Sequence, residues 1–362
     1  MSTLMQANHQ WTTRPADQRF TSLIDMARHC AAQRAASAAS VVPSRHLTVM
    51  PTDDNRGLSV AIRGGADEMT PTHWSFGQLA HLAGAPSAYV RALPAPIAAD
   101  CLNYGLRFDR DVETVGLLSS TTDGQHELRA ATGPRYGRIW NTRVVNALIE
   151  RFGDGRSGQF RVPGEFGRAV TVTTANTTLY ASDRDMFVFL ADEERRIEIP
   201  NRRDGQTGSL ARGFYVWNSE VGKSALGVAT FLFDYVCCNR IVWGARDYAE
   251  VILRHTASAP ARFINEIAPA LERYAASSTT SLAVAIADAQ SHTLDDVTDF
   301  LARRYGKRLA ATLQDIHVAE EHRPITTRWD VVTAVTAYAR SVDHQDHRVE
   351  LERDAGSLLP AA

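Results

Sequence analysis

The chain has 362 residues and a formal net charge of −2, and 44% of its residues are hydrophobic. Its pI near 6.6 excludes a uniformly basic nucleic-acid-binding protein, for which a pI above about 9 is usual. No stretch approaches ~18 uncharged apolar residues, and the N-terminus lacks the basic and apolar regions of a secretory signal. We therefore expect a soluble, cytoplasmic protein without a membrane partner.

The first 152 residues combine helical and strand patterns. Residues 1–15 are polar and are expected to form a mobile tail before a single α+β domain over residues 16–362. Two hairpins are predicted, residues 47–50 with 58–62, and residues 112–118 with 127–132 around Asp123-Gly124. Ser75 and Asn141 are predicted helix N-caps, because their side chains accept hydrogen bonds from the first free N–H groups of a helix.

A glycine-rich stretch at residues 153–158 separates this mixed region, residues 16–152, from a central sheet expected over residues 159–258. Strands are expected at residues 169–173, 186–190 and 196–199. The next tract, residues 213–244, is dense in aromatic and β-branched residues, and turn-forming residues 218–223 interrupt it. We predict two long strands joined by this polar turn. Side chains on the second strand should alternate, with Phe231, Phe233 and Tyr235 on one face and Leu232, Asp234 and Val236 on the other.

From residue 260 to residue 362 the apolar residues recur at helical spacing. One helical face is formed by Phe263, Ile264, Ile267 and Leu271. Strands and helices thus come in blocks rather than in alternation. This order favours an α+β fold with a central antiparallel or mixed sheet, helices before and after it, and a helical C-terminal part.

Several segments occur in an order that resembles one known family. They are RPADQRFTSL near the N-terminus, YGRIWNTRVVNAL, VWNSEVGKSALGVATFLFDYVCCNRIVWG followed by RHT, and WDVVTAVTAYARSV with DAGSLL. The order resembles the phage- and plasmid-borne family called domain of unknown function 932, from about residue 14 to residue 359. Lys223 and Arg240 stand where such proteins more often have small residues. The resemblance implies a mobile-element context, but no activity or catalytic residue.

The sequence contains no complete catalytic or metal-binding motif. Gly222-Lys223-Ser224 resembles the end of a phosphate-binding loop, but Trp217 stands where that motif needs glycine. The four cysteines are Cys30, Cys101, Cys237 and Cys238. They have no CxxC spacing, so we interpret the adjacent pair as packing residues, with one redox-active thiol as the alternative. We expect neither a metal nor an obligatory cofactor.

One group of polar residues is suited to catalysis if the fold brings its members together. The group comprises Asn218, Ser219, Glu220, Cys238, Asn239, Arg254 and His255. A nucleophile such as Cys238 needs a base such as His255 within hydrogen-bond reach, whereas the two ends of a hairpin lie apart. Asn, Ser and Glu also have an ordinary role as turn residues. An enzyme with a polar site of the Glu220/His255 type is therefore one alternative hypothesis for the function of this protein.

The central region is locally basic although the whole chain is not. From Arg129 to Arg262 there are nineteen basic and fourteen acidic residues, an excess of +5, so the other residues carry −7 of the total of −2. Arginines beside aromatic residues are suited to binding phosphates and stacking bases. The candidate contacts are Arg212, Tyr215, Trp217, Lys223, Arg240 and Arg246. With the mobile-element resemblance, they predict binding of single-stranded DNA in phage or plasmid DNA metabolism.

Surface exposure distinguishes three functional hypotheses: DNA binding, an enzyme and a protein-interaction factor. Exposed Tyr215 and Trp217 would favour DNA binding, whereas their burial would make them ordinary core residues of a strand. A closed pocket containing Glu220 or His255 would favour an enzyme. A large exposed apolar patch would favour a protein-interaction factor that does not contact nucleic acid.

Overall fold

The computed structural model describes residues 15–65, 68–108, 114–162, 171–175, 177–234, 240–241, 250–342 and 345–359. Its strands are β1 (Arg19–Phe20), β2 (Ser37–Pro43), β3 (Leu47–Pro51), β4 (Leu58–Ile62), β5 (Glu68–Pro71), β6 (Thr114–Thr122), β7 (Gln125–Thr132), β8 (Phe160–Arg161), β9 (Leu179–Ala181), β10 (Met186–Asp192), β11 (Ile197–Ile199), β12 (Gly208–Asn218), β13 (Leu226–Asp234), β14 (Arg240–Ile241) and β15 (Glu250–Leu253). Its helices are α1 (Leu23–Ala35), α2 (His73–Leu82), α3 (Ser87–Ala92), α4 (Ala95–Phe108), α5 (Asn141–Phe152), α6 (Ala259–Arg262), α7 (Ala268–Ala276), α8 (Thr280–Ser291), α9 (Val297–Tyr305), α10 (Lys307–Glu321), α11 (Arg328–Arg340) and α12 (Gln345–Ser357). The predicted α+β class and the helical C-terminal part are confirmed. The strands form two sheets rather than one.

The N-terminal sheet has the strand order β2-β6-β7-β5-β4-β3. Only the β5–β7 pair among them is parallel, so this sheet is mixed. Both predicted hairpins, β3–β4 and β6–β7, are confirmed. The second closes through two residues, Asp123 and Gly124, with φ of 51° and 77°. Positive φ at both positions matches the twist of the flanking strands.

Helices α2, α3 and α4 pack against the N-terminal sheet and share a hydrophobic core with it. The buried contacts include Leu79 from α2, Leu102 from α4 and Leu117 from β6. Helix α2 begins at His73, and Thr72 caps it by accepting from Ser75 N at 3.1 Å. The predicted cap at Ser75 is therefore wrong. Ser75 lies inside the helix, where its hydroxyl is buried and donates to the carbonyl of Leu128.

The central sheet has the strand order β1-β9-β10-β12-β13-β14, with β8, β11 and β15 paired outside this path. Each of its described pairs is antiparallel. The two long predicted strands are confirmed as β12 and β13, which pair from Leu210↔Asp234 to Trp217↔Gly227. Strands predicted at residues 186–190 and 196–199 are confirmed as β10 and β11. The described part of the strand predicted at 169–173 is irregular.

One face of the central sheet carries a buried aromatic cluster, formed by Tyr180, Phe187, Phe189, Tyr215, Trp217 and Phe231. Two of these rings cover glycines on the neighbouring strand, Phe231 over Gly213 and Trp217 over Gly227. Leu232 packs in a different core, so the predicted alternation is confirmed for Phe231 and Leu232. The side chains of Phe233, Asp234, Tyr235 and Val236 lie outside the described residues.

The opposite face of the central sheet packs against α1, α5 and the helices that follow β15. Its core includes Val144 from α5, Phe214 from β12 and Leu271 from α7. Helices α6 and α7 join through a π-helical turn, Phe263–Ile267, followed by Pro269. Proline has no N–H to donate, which accounts for the irregular hydrogen bonding there. Ile264, predicted on the buried face, is 41% exposed, because this turn changes the helical period.

Helices α8 to α12 share a second core with the central sheet, which includes Leu232 from β13, Leu313 from α10 and Trp329 from α11. A buried ion pair links this helical part to the loop after β11. Arg202 Nε lies 3.0 Å from Glu321 Oε1, and both side chains are 1% exposed. Among the helices of the described ranges, none is long and apolar enough to cross a membrane.

Candidate functional site

The polar turn between β12 and β13 is buried where the two sheets meet. Glu220 is only 1% exposed, and each of its carboxylate oxygens accepts a hydrogen bond. Arg129 Nη2, from β7, lies 3.2 Å from Glu220 Oε2, and the backbone N–H of Asn141 donates to Oε1 at 2.8 Å. The carboxylate also faces the N-terminus of α5, where the helix dipole favours negative charge. Glu220 thus joins the central sheet, the N-terminal sheet and α5.

The neighbours of Glu220 are held by the same junction. Asn218 Nδ2 donates to Ile139 O and to Asn141 Oδ1, both at 2.8 Å. The predicted N-cap at Asn141 is therefore wrong, because this residue is the first of α5 and its side chain accepts from Asn218. The Ser219 hydroxyl donates to Arg184 O at 2.7 Å and accepts from Lys223 N at 2.9 Å. Arg138 donates to the backbone carbonyl of Glu220. We call Arg129, Arg138, Asn141, Asn218, Ser219 and Glu220 the junction network.

His255 lies beside the same turn, although 35 positions separate it from Glu220 in the sequence. Strand β15 pairs antiparallel with β13, so that Leu253 lies opposite Leu226 at the start of β13. His255 Nδ1 lies 3.1 Å from Gly137 O, and its ring stacks on Tyr136 with centroids 4.8 Å apart. The Tyr136 hydroxyl in turn donates to Ser219 O at 2.8 Å.

The pKa of His255 is lowered from 6.5 to about 4, chiefly because burial disfavours the charged ring. The neutral ring therefore persists in the folded protein at pH values where the unfolded chain binds a proton. We expect the contribution of His255 to the free energy of unfolding to be constant above about pH 6.5 and to fall as the pH decreases towards 4.

Equilibrium unfolding of wild type and His255→Gln across this pH range measures the effect. The variant should show a shallower decline, but not a flat profile, because burial also lowers the pKa of His317 to about 4. His81→Gln is the matched control at an exposed position. Parallel profiles for wild type and His255→Gln would contradict the assignment.

Next to the junction network, cationic and aromatic side chains alternate. The Arg34 guanidinium lies 3.8 Å from the Trp140 ring centroid, and the Arg138 guanidinium lies 5.8 Å from the same ring. Arg138 also lies 5.2 Å from the Tyr136 ring centroid. Arg34 is exposed and the other three residues are half-buried. We call Arg34, Trp140, Arg138 and Tyr136 the basic–aromatic stripe.

Three of the candidate nucleic-acid contacts are buried. Tyr215 and Trp217 are 4% and 6% exposed within the aromatic cluster, so their rings offer no stacking surface. Arg212 is 3% exposed, pairs with Asp192 and donates to the Ala275 carbonyl near the C-terminus of α7. Tyr215 and Trp217 are core residues, and Arg212 caps the C-terminal end of a helix. Burial therefore removes these three residues from the candidate contacts.

Some of the remaining predicted residues lie at or near the polar turn, and the side chains of the others lie outside the described residues. Lys223 is 28% exposed and forms an ion pair with Asp185. Arg254 is exposed next to His255. The structure thus brings Asn218, Ser219, Glu220 and His255 to one region. The predicted residues that lie outside the described side chains are Cys237, Cys238, Asn239, Arg240 and Arg246.

The junction network does not present Glu220 as a free base. Both carboxylate oxygens are engaged, and Arg138 donates to the Glu220 carbonyl. Burial raises the pKa of the Cys30 thiol to about 12, which leaves it unreactive near neutral pH. Within the described part of the chain, no group of three or more His, Cys, Asp or Glu side chains could hold a metal ion. These contacts indicate a structural role for Glu220.

Sequence reasoning did not identify Arg34, Arg129, Arg138 or Trp140. A partial signal was available, because residues 135–140 read RYGRIW, which alternates basic and aromatic residues. Their partners could not be inferred, since the contacts join positions as far apart as Arg34 and Trp140, 106 residues along the chain.

Comparison of the chain with protein-family models, with curated proteins and with solved structures gave no match. The resemblance to domain of unknown function 932 therefore stays a prediction.

Proposed function

We propose that the protein binds single-stranded DNA along the basic–aromatic stripe. In this proposal it acts in the cytoplasm, in the DNA metabolism of a phage, a plasmid or a related mobile element. The site differs from the sheet surface expected from the sequence, since Tyr215 and Trp217 are core residues. The ligand class is unchanged, because phosphates and bases are recognised by arginines beside accessible aromatic rings.

The observation that supports the proposal is the stacking of Arg34 and Arg138 on Trp140. Trp140 and Tyr136 are half-buried, whereas Tyr215 and Trp217 are 4% and 6% exposed. An accessible aromatic ring accepts a base of any sequence, provided that the base is not already stacked in a duplex. This requirement favours a single strand over double-stranded DNA.

The charges near the stripe also favour a polyanion. Glu220 and Asp185 are 1% and 5% exposed and are paired with cations, and the 48% exposed side chain of Asp183 lies 3.5 Å from Arg184, so each of these acidic groups has a cationic neighbour. Exposed Arg135 and Arg254 are adjacent in sequence to Tyr136 and His255. A cationic surface of this kind binds nucleic acid mainly by releasing counterions from the phosphates.

Arg34 and Trp140 should contribute in different ways. In the proposed complex a base stacks on Trp140 in place of Arg34, and Arg34 contacts a phosphate. Each phosphate contact on a single strand contributes about 0.7 to the slope of log K against log salt. Stacking of a base releases no ions and contributes about 1–3 kcal/mol.

Fluorescence anisotropy with a labelled mixed-sequence oligonucleotide, measured across a salt series, tests the proposal. Arg34→Ala should reduce the slope by about 0.7. Trp140→Leu should weaken binding by about 1–3 kcal/mol and leave the slope unchanged, with thermal unfolding used to check that the variant is folded.

Arg28→Ala is the matched control, because Arg28 lies on the same helix as Arg34, is 75% exposed and pairs with Asp25. It should leave both affinity and slope close to wild type. The proposal fails if wild type does not bind at low salt, where electrostatic attraction is strongest. Equal losses in the Arg28 and Arg34 variants would place binding elsewhere on the protein.

A further inference from the structure

Strand β2 lies at one edge of the N-terminal sheet and pairs only with β6 in the described strand order. Its four consecutive residues from Ala38 to Val41 are exposed, and Val41 is 59% exposed. Successive side chains of a strand point to opposite faces, so both faces of the sheet are exposed from Ala38 to Val41. The strand reads SAASVVP and contains no charged residue. Charged residues are a common means of preventing edge-to-edge association.

The register shows which backbone groups of β2 point away from the sheet. Thr121 N donates to Ala36 O at 2.9 Å, and the pairing continues through Ala38↔Ser119 and Ser40↔Leu117. In an antiparallel ladder alternate residues face the partner strand, so residues 38, 40 and 42 face β6. The N–H and C=O groups of Ala39 and Val41 therefore point outward.

Both ends of this outward edge are closed. Ser37 O accepts a hydrogen bond from Arg34 Nη1 at 3.2 Å. Pro43 has no N–H to donate. The outward groups of Ala39 and Val41 lie between these ends and are symmetric about Ser40. An antiparallel copy of the same segment could satisfy all four groups, because Ala39 of one copy would lie opposite Val41 of the other.

We propose that two copies of this chain associate by antiparallel pairing of β2 about a two-fold axis at Ser40. The N–H and C=O of Ala39 bond to the C=O and N–H of Val41 in the second copy, and the reciprocal pair completes four hydrogen bonds. The two N-terminal sheets then form one continuous sheet. Two-fold dimers with self-complementary interfaces are the commonest form of homo-oligomer.

Basic residues flank the pairing segment and set its response to salt. Arg34 precedes β2 and exposed Arg45 follows it. Antiparallel pairing brings Arg34 of one copy towards Arg45 of the other, so like charges oppose association at both ends. Added salt screens this repulsion, and the dimer should therefore become tighter as ionic strength rises.

Cross-linking through an introduced cysteine tests the register. Ser40 of one copy lies opposite Ser40 of the other in a non-hydrogen-bonded pair. The Cα atoms of such a pair are about 4.5 Å apart, which is within the range of a disulfide. Ser40→Cys should therefore give a disulfide-linked dimer under mild oxidation. Ala38→Cys is the matched control on the same strand face. Its two copies would be offset by four residues, roughly 13 Å, and should not cross-link.

Three cross-linking outcomes would overturn the proposal. Cross-linking of both variants would indicate parallel pairing in register. Cross-linking of the Ala38 variant alone would indicate another register, and failure of Ser40→Cys to exceed the wild-type background would mean that the copies do not pair here. Wild type provides the background because it contains native cysteines, including buried Cys30.

Sedimentation velocity over a range of protein concentrations provides a second measurement. Val41→Lys places two charges in the pairing segment and should raise the dimer dissociation constant at least tenfold. Val318→Lys makes the same change at a 49% exposed position on α10 and should leave it unchanged. Equal dissociation constants for these two variants, or a wild type that stays monomeric at every concentration, would refute the pairing.

Discussion

Replacement of Glu220 with alanine should lower the free energy of unfolding by about 3–5 kcal/mol, because removal of one partner leaves a buried charge uncompensated. Arg129 is 3% exposed and would retain its charge without the carboxylate that it contacts. The Asn141 N–H at the start of α5 would also lose its acceptor. Chemical denaturation monitored by circular dichroism measures the change.

Two further variants distinguish the effect of breaking the buried ion pair from the general effect of removing a carboxylate on the free energy of unfolding. Glu150→Ala removes a carboxylate whose side chain is 74% exposed, and the change should be within about 0.5 kcal/mol. The double variant Arg129→Met/Glu220→Met should be less destabilised than Glu220→Ala, because apolar side chains can replace a buried ion pair at little cost. A loss below about 1 kcal/mol for Glu220→Ala would contradict the burial of this turn.

Gly227→Ala should destabilise the central sheet by about 1–3 kcal/mol or more, since overpacking forces neighbouring atoms to move. A Cβ at Gly227 would lie 1.8 Å from Trp217 Cζ2 and 2.1 Å from Trp217 Cε2. The Trp217 ring would have to leave its place in the aromatic cluster. Thermal unfolding and near-ultraviolet circular dichroism should both report the displacement.

Gly133→Ala is the control for this substitution, because a Cβ there meets nothing within 4 Å and the position has no positive φ. It should leave stability unchanged within about 0.5 kcal/mol. Equal stability of the two glycine variants would show that Trp217 does not cover Gly227. That result would also reopen the stacking role first predicted for Trp217.

The hairpin of β12 and β13 was predictable because its signals are local. Strand-forming residues surround turn-forming residues 218–223, and such patterns report the backbone conformation directly. The glycines opposite Trp217 and Phe231 are a further signal in the sequence. A ring that covers a glycine is a packing arrangement, which would have favoured core roles for these aromatics over base stacking.

The junction network was not predictable, because its contacts are long-range. Nothing near Arg129 indicates a carboxylate partner 91 residues later. Strand β15 has only four residues and was missed, so the approach of His255 to the turn was missed as well. The local charge count was also a poor guide to the surface. It included Arg129, Arg202 and Arg212, which are at most 3% exposed.

Photo-cross-linking is the most direct test of the proposed DNA site. A single-stranded oligonucleotide containing 5-iodouracil is irradiated with the protein, and the linked peptides are identified by mass spectrometry after trypsin digestion. The proposal predicts that the main linked peptide is IWNTR, residues 139–143, which carries Trp140. Cross-links confined to peptides without Arg34, Tyr136 or Trp140 would contradict the basic–aromatic stripe as the binding surface.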